Sequence, residues 1–465
     1  MEKSKLIALL RTFETGEIRQ FKDFVASPYF NKNPDLLPFL DYLADCAPDF
    51  RTDDLEKERV YAHVFPGETY DAKQLAYLMN YLLKLAERFL TIRQYEEAPF
   101  ASRYHLLKAF LGRRLDKHFN YCLRKTQSLL EEKRGSGKAY YYYASRIAEL
   151  ASSFELLQGR KSSGQFQRAA DHADEWYFLN KLRLSCEMLN RQKVFSMEFE
   201  LPFLDEVTAH LSRRPERPAI IDLFLHTYRT MENPAAEAHF DQLMELLTRH
   251  GAQIDHEELR ILYLYAINYS VRNISQGRQD YISKALDLYL EGIRSRALFE
   301  DGFLTHSTFT NVIKLALMLN RYDWIEEFIE RHHDFLPPAS REDALHYILA
   351  ELYYHRGDYD AVRDHLNQLQ FSDIQYHLGS RVVLIKTYHA LEEIESLLSL
   401  LAAFSVFLRR NKEIATPMKK RYLNFCNLLH RLLRRTPGKR MTLREQIRTA
   451  HPLAERNWLL EICGD

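Results

Sequence analysis

Apolar residues recur at spacings of three and four through most of this chain, and residues 341–370 show the pattern most clearly. Leu345, Leu349 and Leu352 fall on one face of a helix, because a helix completes a turn about every 3.6 residues. A helix with one apolar face buries that face only by packing against a neighbour. The pattern therefore predicts helices that pack together.

A break in the middle of this stretch separates two predicted helices. Gly357 can adopt the left-handed conformation that ends a helix, and Asp358 can cap the helix that follows. The second helix repeats the apolar stripe at Val362, Leu366 and Leu369. We therefore expect two antiparallel helices joined by a tight turn.

This helix pair resembles a tetratricopeptide repeat, whose first helix carries a large–small–aromatic signature and whose turn carries a glycine. The residues that match in order and spacing are Leu349, Ala350, Tyr353, Gly357, Tyr359, Val362 and Leu366. His346 departs from the pattern, because the family prefers Trp or another large apolar residue there, and Ile374 stands where a Pro usually ends the repeat. The resemblance covers about one repeat length. It implies a right-handed solenoid of helix pairs and no particular function.

Similar helix pairs recur with a period of about 35 residues in the C-terminal half of the chain. Residues 321–325 open a second helix as 358–362 do, and Pro337 falls where the repeat family places its terminal proline. Between residues 100 and 250 the helix pairs persist but the signature is lost.

The sequence therefore predicts an all-α fold, in which an N-terminal helical cap domain precedes an antiparallel helix-pair solenoid. The expected regions are the cap domain (1–97), an irregular helix-pair solenoid (98–253), tetratricopeptide-like repeats (254–411) and basic C-terminal helices that cap the solenoid (412–465).

Composition agrees with this interpretation. Gly and Pro number only 15 each in 465 residues, and hydrophobic residues make up 46%, enough for a continuous core. The scattered cysteines are Cys46, Cys122, Cys186, Cys426 and Cys463. Their spacing fits no metal site and is typical of a reducing cytoplasm. No apolar run has the length of a signal-peptide core or a membrane-spanning helix, so we expect a cytoplasmic protein.

Candidate chemistry is sparse. Residues 134–138 read RGSGK, but a phosphate loop requires Gly where Glu132 stands and Ser or Thr where Ala139 stands. His332 and His333 fit the cationic end of a helix better than a metal site. We therefore predict a protein that is not an enzyme and that has no metal and no cofactor. The open enzyme hypothesis is a site in the N-terminal domain around His63 and Asp71.

Function is predicted from the resemblance, since that family binds partners on a concave face lined by the first helix of each pair. The matching positions are Tyr347, Glu351, Tyr354 and His355. The alternative interpretation is that these four are ordinary exposed residues without a binding role. We expect a non-enzymatic protein–protein interaction scaffold that presents a concave helical groove to an extended or helical partner segment.

Charge adds one local feature. Lys and Arg total 64 and Asp and Glu total 64, which removes the global argument for a nucleic-acid or membrane-surface protein. Residues 409–448 nevertheless contain thirteen Lys or Arg, opposed only by Glu413 and Glu445. The candidate basic patch comprises Arg409, Arg410, Lys419, Lys420, Arg421, Arg434 and Arg435. It is a solvated face, a site for an acidic protein or peptide, or a nucleic-acid site. The alternative function is therefore a nucleic-acid-associated or regulatory protein.

Overall fold

The computed structural model describes residues 1–160, 164–195, 197–370, 374–412, 414–434 and 440–464, and all their side chains except those of 193–195 and 440–442. The chain is 76% helix, with 23 α-helices and almost no strand among these residues, which confirms the all-α class. No helix in the described ranges combines the length and the apolar character needed to cross a membrane.

The chain divides into two compact units, Met1–Phe178 and Leu179–Asp465. This division falls inside a helix and differs from the expected boundary after residue 97. The helices up to the division are α1 (Lys5–Leu10), α2 (Thr15–Ala26), α3 (Leu36–Asp45), α4 (Lys57–Val64), α5 (Ala72–Glu96), α6 (Pro99–Gly112), α7 (Asp116–Glu132), α8 (Lys138–Leu157) and α9 (Gly164–Phe195), which contains the division itself. A short 3-10 helix, Thr52–Leu55, precedes α4.

The second unit continues from α9 with fourteen more helices in its described residues. They are α10 (Leu204–Arg213), α11 (Ala219–Glu232), α12 (Glu237–His250), α13 (His256–Ser275), α14 (Asp280–Arg294), α15 (His306–Met318), α16 (Tyr322–His332), α17 (Arg341–Arg356), α18 (Tyr359–Asn367), α19 (Ile374–Ala390), α20 (Ile394–Arg410), α21 (Thr416–Leu433), α22 (Arg440–Thr449) and α23 (Arg456–Cys463). Two 3-10 helices, Gly251–Gln253 and His333–Phe335, follow α12 and α16.

In the first unit, α5 begins where the sequence predicts. Asp71 caps it, because the Asp71 Oδ1 atom accepts a hydrogen bond from the Lys73 amide at 2.7 Å. Its buried face includes Leu75, Leu78 and Leu82 and belongs to a core that α1, α2, α3 and α4 share.

In the second unit, consecutive helices pack as antiparallel pairs, as in α11–α12, α13–α14, α17–α18 and α19–α20. The first helices of successive pairs also pack side by side, since α15 contacts α17 and α17 contacts α19. Each pair therefore buries its faces against its own partner and against the next pair.

Residues 341–370 form the two predicted helices, α17 and α18. Gly357 ends α17 in the left-handed conformation, with φ at 80°, and the Asp358 side chain accepts from the Ala361 amide at 3.1 Å. The buried face of α17 differs from the predicted stripe: Leu352 is buried, but Leu345 and Leu349 are only half-buried, because α15 and α19 pack against a different side of the helix. Its buried side chains therefore include Tyr347 and Ile348.

A small β-hairpin follows α14, and the sequence analysis does not predict it. Strand β1 (Phe299–Glu300) pairs antiparallel with β2 (Phe303–Leu304). Asp301 and Gly302 form the turn, with positive φ values of 50° and 84°. The Asp-Gly dipeptide is a strong signal for such two-residue turns.

Candidate functional site

The principal candidate site is a cleft of about 620 Å³ in the second unit. Its lining comes from α15, α17, α18 and α19 and from α23, the last helix of the chain. We call it the repeat cleft. The residues that line it are Lys314, Leu317, Met318, Glu351, Tyr354, His355, Tyr359, Lys386, His389, Glu455, Asn457, Trp458, Glu461 and Ile462.

The register between α17 and α19 builds the floor of the repeat cleft. Gly379 lies against the ring of Tyr347, so closely that an added Cβ would come within 2.6 Å of a ring carbon. Two helical turns further along α19, the ammonium of Lys386 lies 5.5 Å from the centre of the Tyr354 ring. Each residue of α19 lies 32 positions after its partner in α17, as expected when two helices run side by side in the same direction.

Four charged side chains meet on this floor. The Lys386 Nζ atom lies 2.5 Å from Glu455 Oε2, and this contact joins α19 to the residue that precedes α23. The Glu351 carboxylate accepts a 2.7 Å hydrogen bond from the hydroxyl of Tyr347 and lies 3.6 Å from Lys314 Nζ. Lys386, Glu351 and Tyr347 are each less than a tenth exposed. The floor therefore consists of opposite charges that neutralise one another inside the protein.

The pKa shifts agree with this arrangement. Burial alone would raise the pKa of Glu351, but Lys314, Lys386 and the hydrogen bond from Tyr347 hold it below its usual value. Burial likewise opposes the charged form of Lys386, but Glu455 and Glu351 outweigh it and raise the pKa of the lysine. Both groups are therefore charged at neutral pH.

The walls of the repeat cleft are aromatic and apolar. Trp458 of α23 and Tyr354 of α17 both line these walls, and the Trp458 ring packs edge-on against that of His389, with 5.3 Å between the ring centres. The ring centres of Tyr359 and Tyr354 lie 6.0 Å apart. The side chain of Met318, at the rim of the cleft, is 45% exposed. These walls offer apolar area to a ligand, whereas the charges of the floor already have partners.

The predicted partner-binding residues separate into two groups. Glu351, Tyr354 and His355 line the repeat cleft, and of these His355 is the exposed one. Tyr347 lies beneath the cleft and is buried, as is Glu351. Tyr347 and Glu351 therefore have structural contacts inside the protein, and direct access from solvent is left to Tyr354 and His355.

Sequence reasoning missed the residues that complete the cleft. Lys386 lies in an otherwise apolar part of α19, beside the buried Val383 and Ile385. A lone lysine in such a stretch is a signal for a buried partner. No feature of the sequence identifies Glu455 and Trp458 as cleft residues, because their place in the cleft depends on where α23 packs.

No protein-family model matches this chain, and neither a curated protein nor a solved structure does. The tetratricopeptide resemblance therefore stays a prediction. The functional interpretation of the repeat cleft depends on its own geometry.

The basic patch lies on the C-terminal half of the second unit, on α20, α21 and the segment between them. We define the basic ridge as the exposed cations of α20, α21 and their connection: the patch members Arg409, Arg410, Lys420, Arg421 and Arg434, together with Lys412 and Arg431. Lys419 is half-buried beside them, and Arg435 lies outside the described residues. Within the part of the chain that the structure describes, none of the ridge residues forms a salt bridge.

Other candidates from the sequence have structural roles. Residues 134–138 connect α7 to α8 by a turn in which Gly135 has a φ of 71°. His332 ends α16, and its ring contacts the carbonyl of Phe328 at 3.0 Å. His63 packs against the Tyr42 ring, whereas Asp71 caps α5. The described residues contain no cluster of three or more His, Cys, Asp or Glu that could hold a metal ion.

Proposed function

We propose that the second unit is a tetratricopeptide-like solenoid that acts as a non-enzymatic interaction scaffold. The repeat cleft would hold a segment of a partner protein. In such solenoids the first helices of successive pairs face the concave side. The first helices α15, α17 and α19 all contribute residues to the lining of this cleft, which supports the proposal.

The proposal depends on the contrast between the paired charges of the cleft floor and the apolar surface of its walls. Lys386, Glu351 and Glu455 satisfy one another on the floor, so the cleft needs no charged ligand to neutralise them. Met318, Tyr354 and Trp458 leave apolar and aromatic surface in the walls. An amphipathic peptide segment fits such walls, because its apolar side displaces water while its polar side stays solvated.

The volume is also consistent with a peptide. A cleft of about 620 Å³ lies within the range of roughly 300–1,000 Å³ that is typical of ligand sites. It can take a few large side chains of a partner but not a folded domain. The partner segment would therefore bind through two or three anchor residues.

Photo-crosslinking in the cells that naturally make the protein tests the proposal. A photoreactive phenylalanine analogue replaces Met318 at the cleft rim, and the matched control replaces Val271, which is equally exposed at 45% on α13. We expect a protein adduct from position 318 that position 271 does not give. Equal labelling from both positions, or none from 318, would contradict the proposal.

A second variant measures the contribution of the cleft once the crosslinked partner is purified. Met318→Arg places a long cation at the rim, and we expect it to weaken partner binding by about tenfold or more, as for a blocked anchor site. Val271→Arg makes the same change on the control helix and should leave the affinity within about twofold.

A further inference from the structure

The basic ridge differs from the rest of the second unit in the pairing of its charges. Elsewhere in this unit many cationic side chains have carboxylate partners, as in Arg183 with Glu258 at 3.0 Å and Arg356 with Glu326 at 2.6 Å. In the described residues of α20, α21 and their connection, no Lys or Arg has such a partner.

The local sequence explains this difference. Glu413 is the only acidic residue between 396 and 434, and it lies outside the described residues. Lys420, Arg431 and Arg434 recur at helical spacing along α21 and are all exposed. Their Cα atoms span about 21 Å of helix, at about 1.5 Å per residue. The ridge is therefore a long strip of positive charge that pairs with no carboxylate of the described residues.

A second feature adjoins the charge. The exposed side of α20 carries Ala402, Ala403 and Val406 one or two turns before Arg409 and Arg410. Val406 is 43% exposed. A partner that covers the whole surface therefore needs an apolar face beside its negative charges.

We propose that the basic ridge is a docking surface for an acidic amphipathic helix of a partner protein. The acidic side chains of that helix would pair with Arg409, Arg410 and the cations of α21, while its apolar stripe covers Ala402 and Val406. Small side chains such as Ala402 let a second helix approach closely. Charge complementarity of this kind fixes orientation and accelerates association.

Nucleic acid fits this surface less well. Binding of single strands uses exposed aromatic rings on which bases stack. On the described α20 and α21, Phe404 and Phe425 are buried, while Phe407 and Tyr422 are half-buried. A phosphate backbone would also leave Val406 uncovered. An acidic helix satisfies both the charge and the apolar area.

This surface is separate from the repeat cleft, so its test is independent of the proposed function. A photoreactive phenylalanine analogue at Asn427, an exposed position of α21 between Arg421 and Arg431, labels whatever binds in the native cells. Mass spectrometry identifies the crosslinked segment. We expect a nuclease-resistant adduct to a protein segment rich in Asp and Glu with helical apolar spacing.

Charge reversal on the ridge provides the decisive variant. Lys420→Glu with Arg431→Glu and Arg434→Glu should reduce the adduct about tenfold or more, because it replaces attraction by repulsion. Arg431→Gln with Arg434→Gln, which only removes charge, should give a smaller decrease in the same direction.

The matched control makes the same change of net charge elsewhere in the unit. Arg249→Glu, Arg294→Glu and Arg331→Glu alter exposed helical arginines that pair within their own helices. Adduct formation should then stay within about twofold of that of the unmodified protein. Three outcomes would overturn the proposal: a nuclease-sensitive adduct, a protein segment without acidic residues, or a yield that ridge reversal does not change. Absence of any adduct at 427 would overturn it as well.

Discussion

Lys386 and Arg431 lie on helices of the same unit, yet their surroundings are opposite. Lys386 is 7% exposed and lies 2.5 Å from the carboxylate of Glu455, with the Glu351 carboxylate also acting on it. Arg431 is exposed, and no carboxylate of the described residues pairs with it. Positive charge therefore occurs in two settings in this unit, paired inside the protein and exposed on its surface. In the repeat cleft it links α19 to the residue that precedes α23, whereas on the basic ridge it has no carboxylate partner among the described residues.

The largest expected effect comes from removing the buried cation. Lys386→Met leaves Glu455 and Glu351 without their shared partner inside the protein. Loss of one member of a buried ion pair costs about 3–5 kcal/mol of unfolding free energy. Urea unfolding of the full chain, followed by circular dichroism, measures this loss.

The control for that variant is Arg431→Met on the ridge, which should change the unfolding free energy by less than about 0.5 kcal/mol. Adding Glu455→Gln to Lys386→Met should recover part of the lost stability, because it removes the orphaned charge. Equal effects of the Lys386 and Arg431 variants would break the comparison.

A smaller loss of unfolding free energy is expected when the floor of the repeat cleft is overpacked. Gly379→Ala places a methyl group within 2.6–2.8 Å of two ring carbons and the hydroxyl oxygen of Tyr347, which is buried and hydrogen-bonded to Glu351. Overpacking costs about 1–3 kcal/mol, against which helix propensity returns at most about 1 kcal/mol. We expect a net destabilisation of about 1–2 kcal/mol in the same urea experiment.

Gly251→Ala is the matched control, since its added Cβ meets only the Leu259 side chain at an ordinary 3.5 Å. If Gly379→Ala were as stable as the unmodified chain, the close approach of α19 to Tyr347 would be incorrect.

A fall in pH is expected to destabilise the second unit through histidines that are held neutral in its interior. Burial and the neighbouring His239 lower the pKa of His226 to about 4, and burial also lowers that of His239. Because the folded pKa lies below the unfolded value of about 6.5, the unfolded chain binds more protons between these values. This contribution to stability is complete above pH 6.5 and is lost as the pH falls towards 4.

Thermal unfolding at pH 7.5, 6.0 and 5.0 measures this loss, and His226→Gln should flatten the dependence. After allowance for solvent screening, His226 should account for about 1 kcal/mol of the unfolding free energy lost between pH 7.5 and 5.0. Stability that does not decrease between pH 6.5 and 5 would contradict the lowered pKa of His226.

The smallest effect on stability is expected from the ridge itself. Arg431→Gln with Arg434→Gln removes two exposed charges that have no carboxylate partner, so the melting temperature should change by no more than about 2 °C. The same variant should reduce labelling from position 427. A large loss of stability would show that these cations have a structural role after all.

Local features of the fold are predictable from sequence because neighbouring residues determine them. Gly357 and Asp358 predict the end of α17 and the start of α18, and Asp71 predicts the start of α5. The hairpin at Asp301 and Gly302 carried an equally local signal, although the surrounding helical blocks obscured it.

The candidate site was less predictable, because it depends on contacts distant in sequence. Tyr347 and Glu351 fall on the face expected to line a groove, but both are buried, since Tyr347 packs against Gly379 of α19 and Glu351 pairs with Lys314 of α15. The close approach of Gly379 to Tyr347 and the pairing of Lys386 with Glu455 follow from the packing of separate helices. Periodicity within one helix contains no information about either contact.

Hydrogen exchange of α23 tests the central comparison most directly. In the Lys386→Met variant, the amides of Arg456–Cys463 should exchange about tenfold faster or more, because the helix loses its charged contact with α19. Amides of α13 serve as an internal reference and should keep their rates, as should α23 in the Arg431→Gln and Arg434→Gln variant. Unchanged protection of α23 in Lys386→Met, or equal acceleration in the ridge variant, would contradict the division between structural charge in the repeat cleft and available charge on the basic ridge.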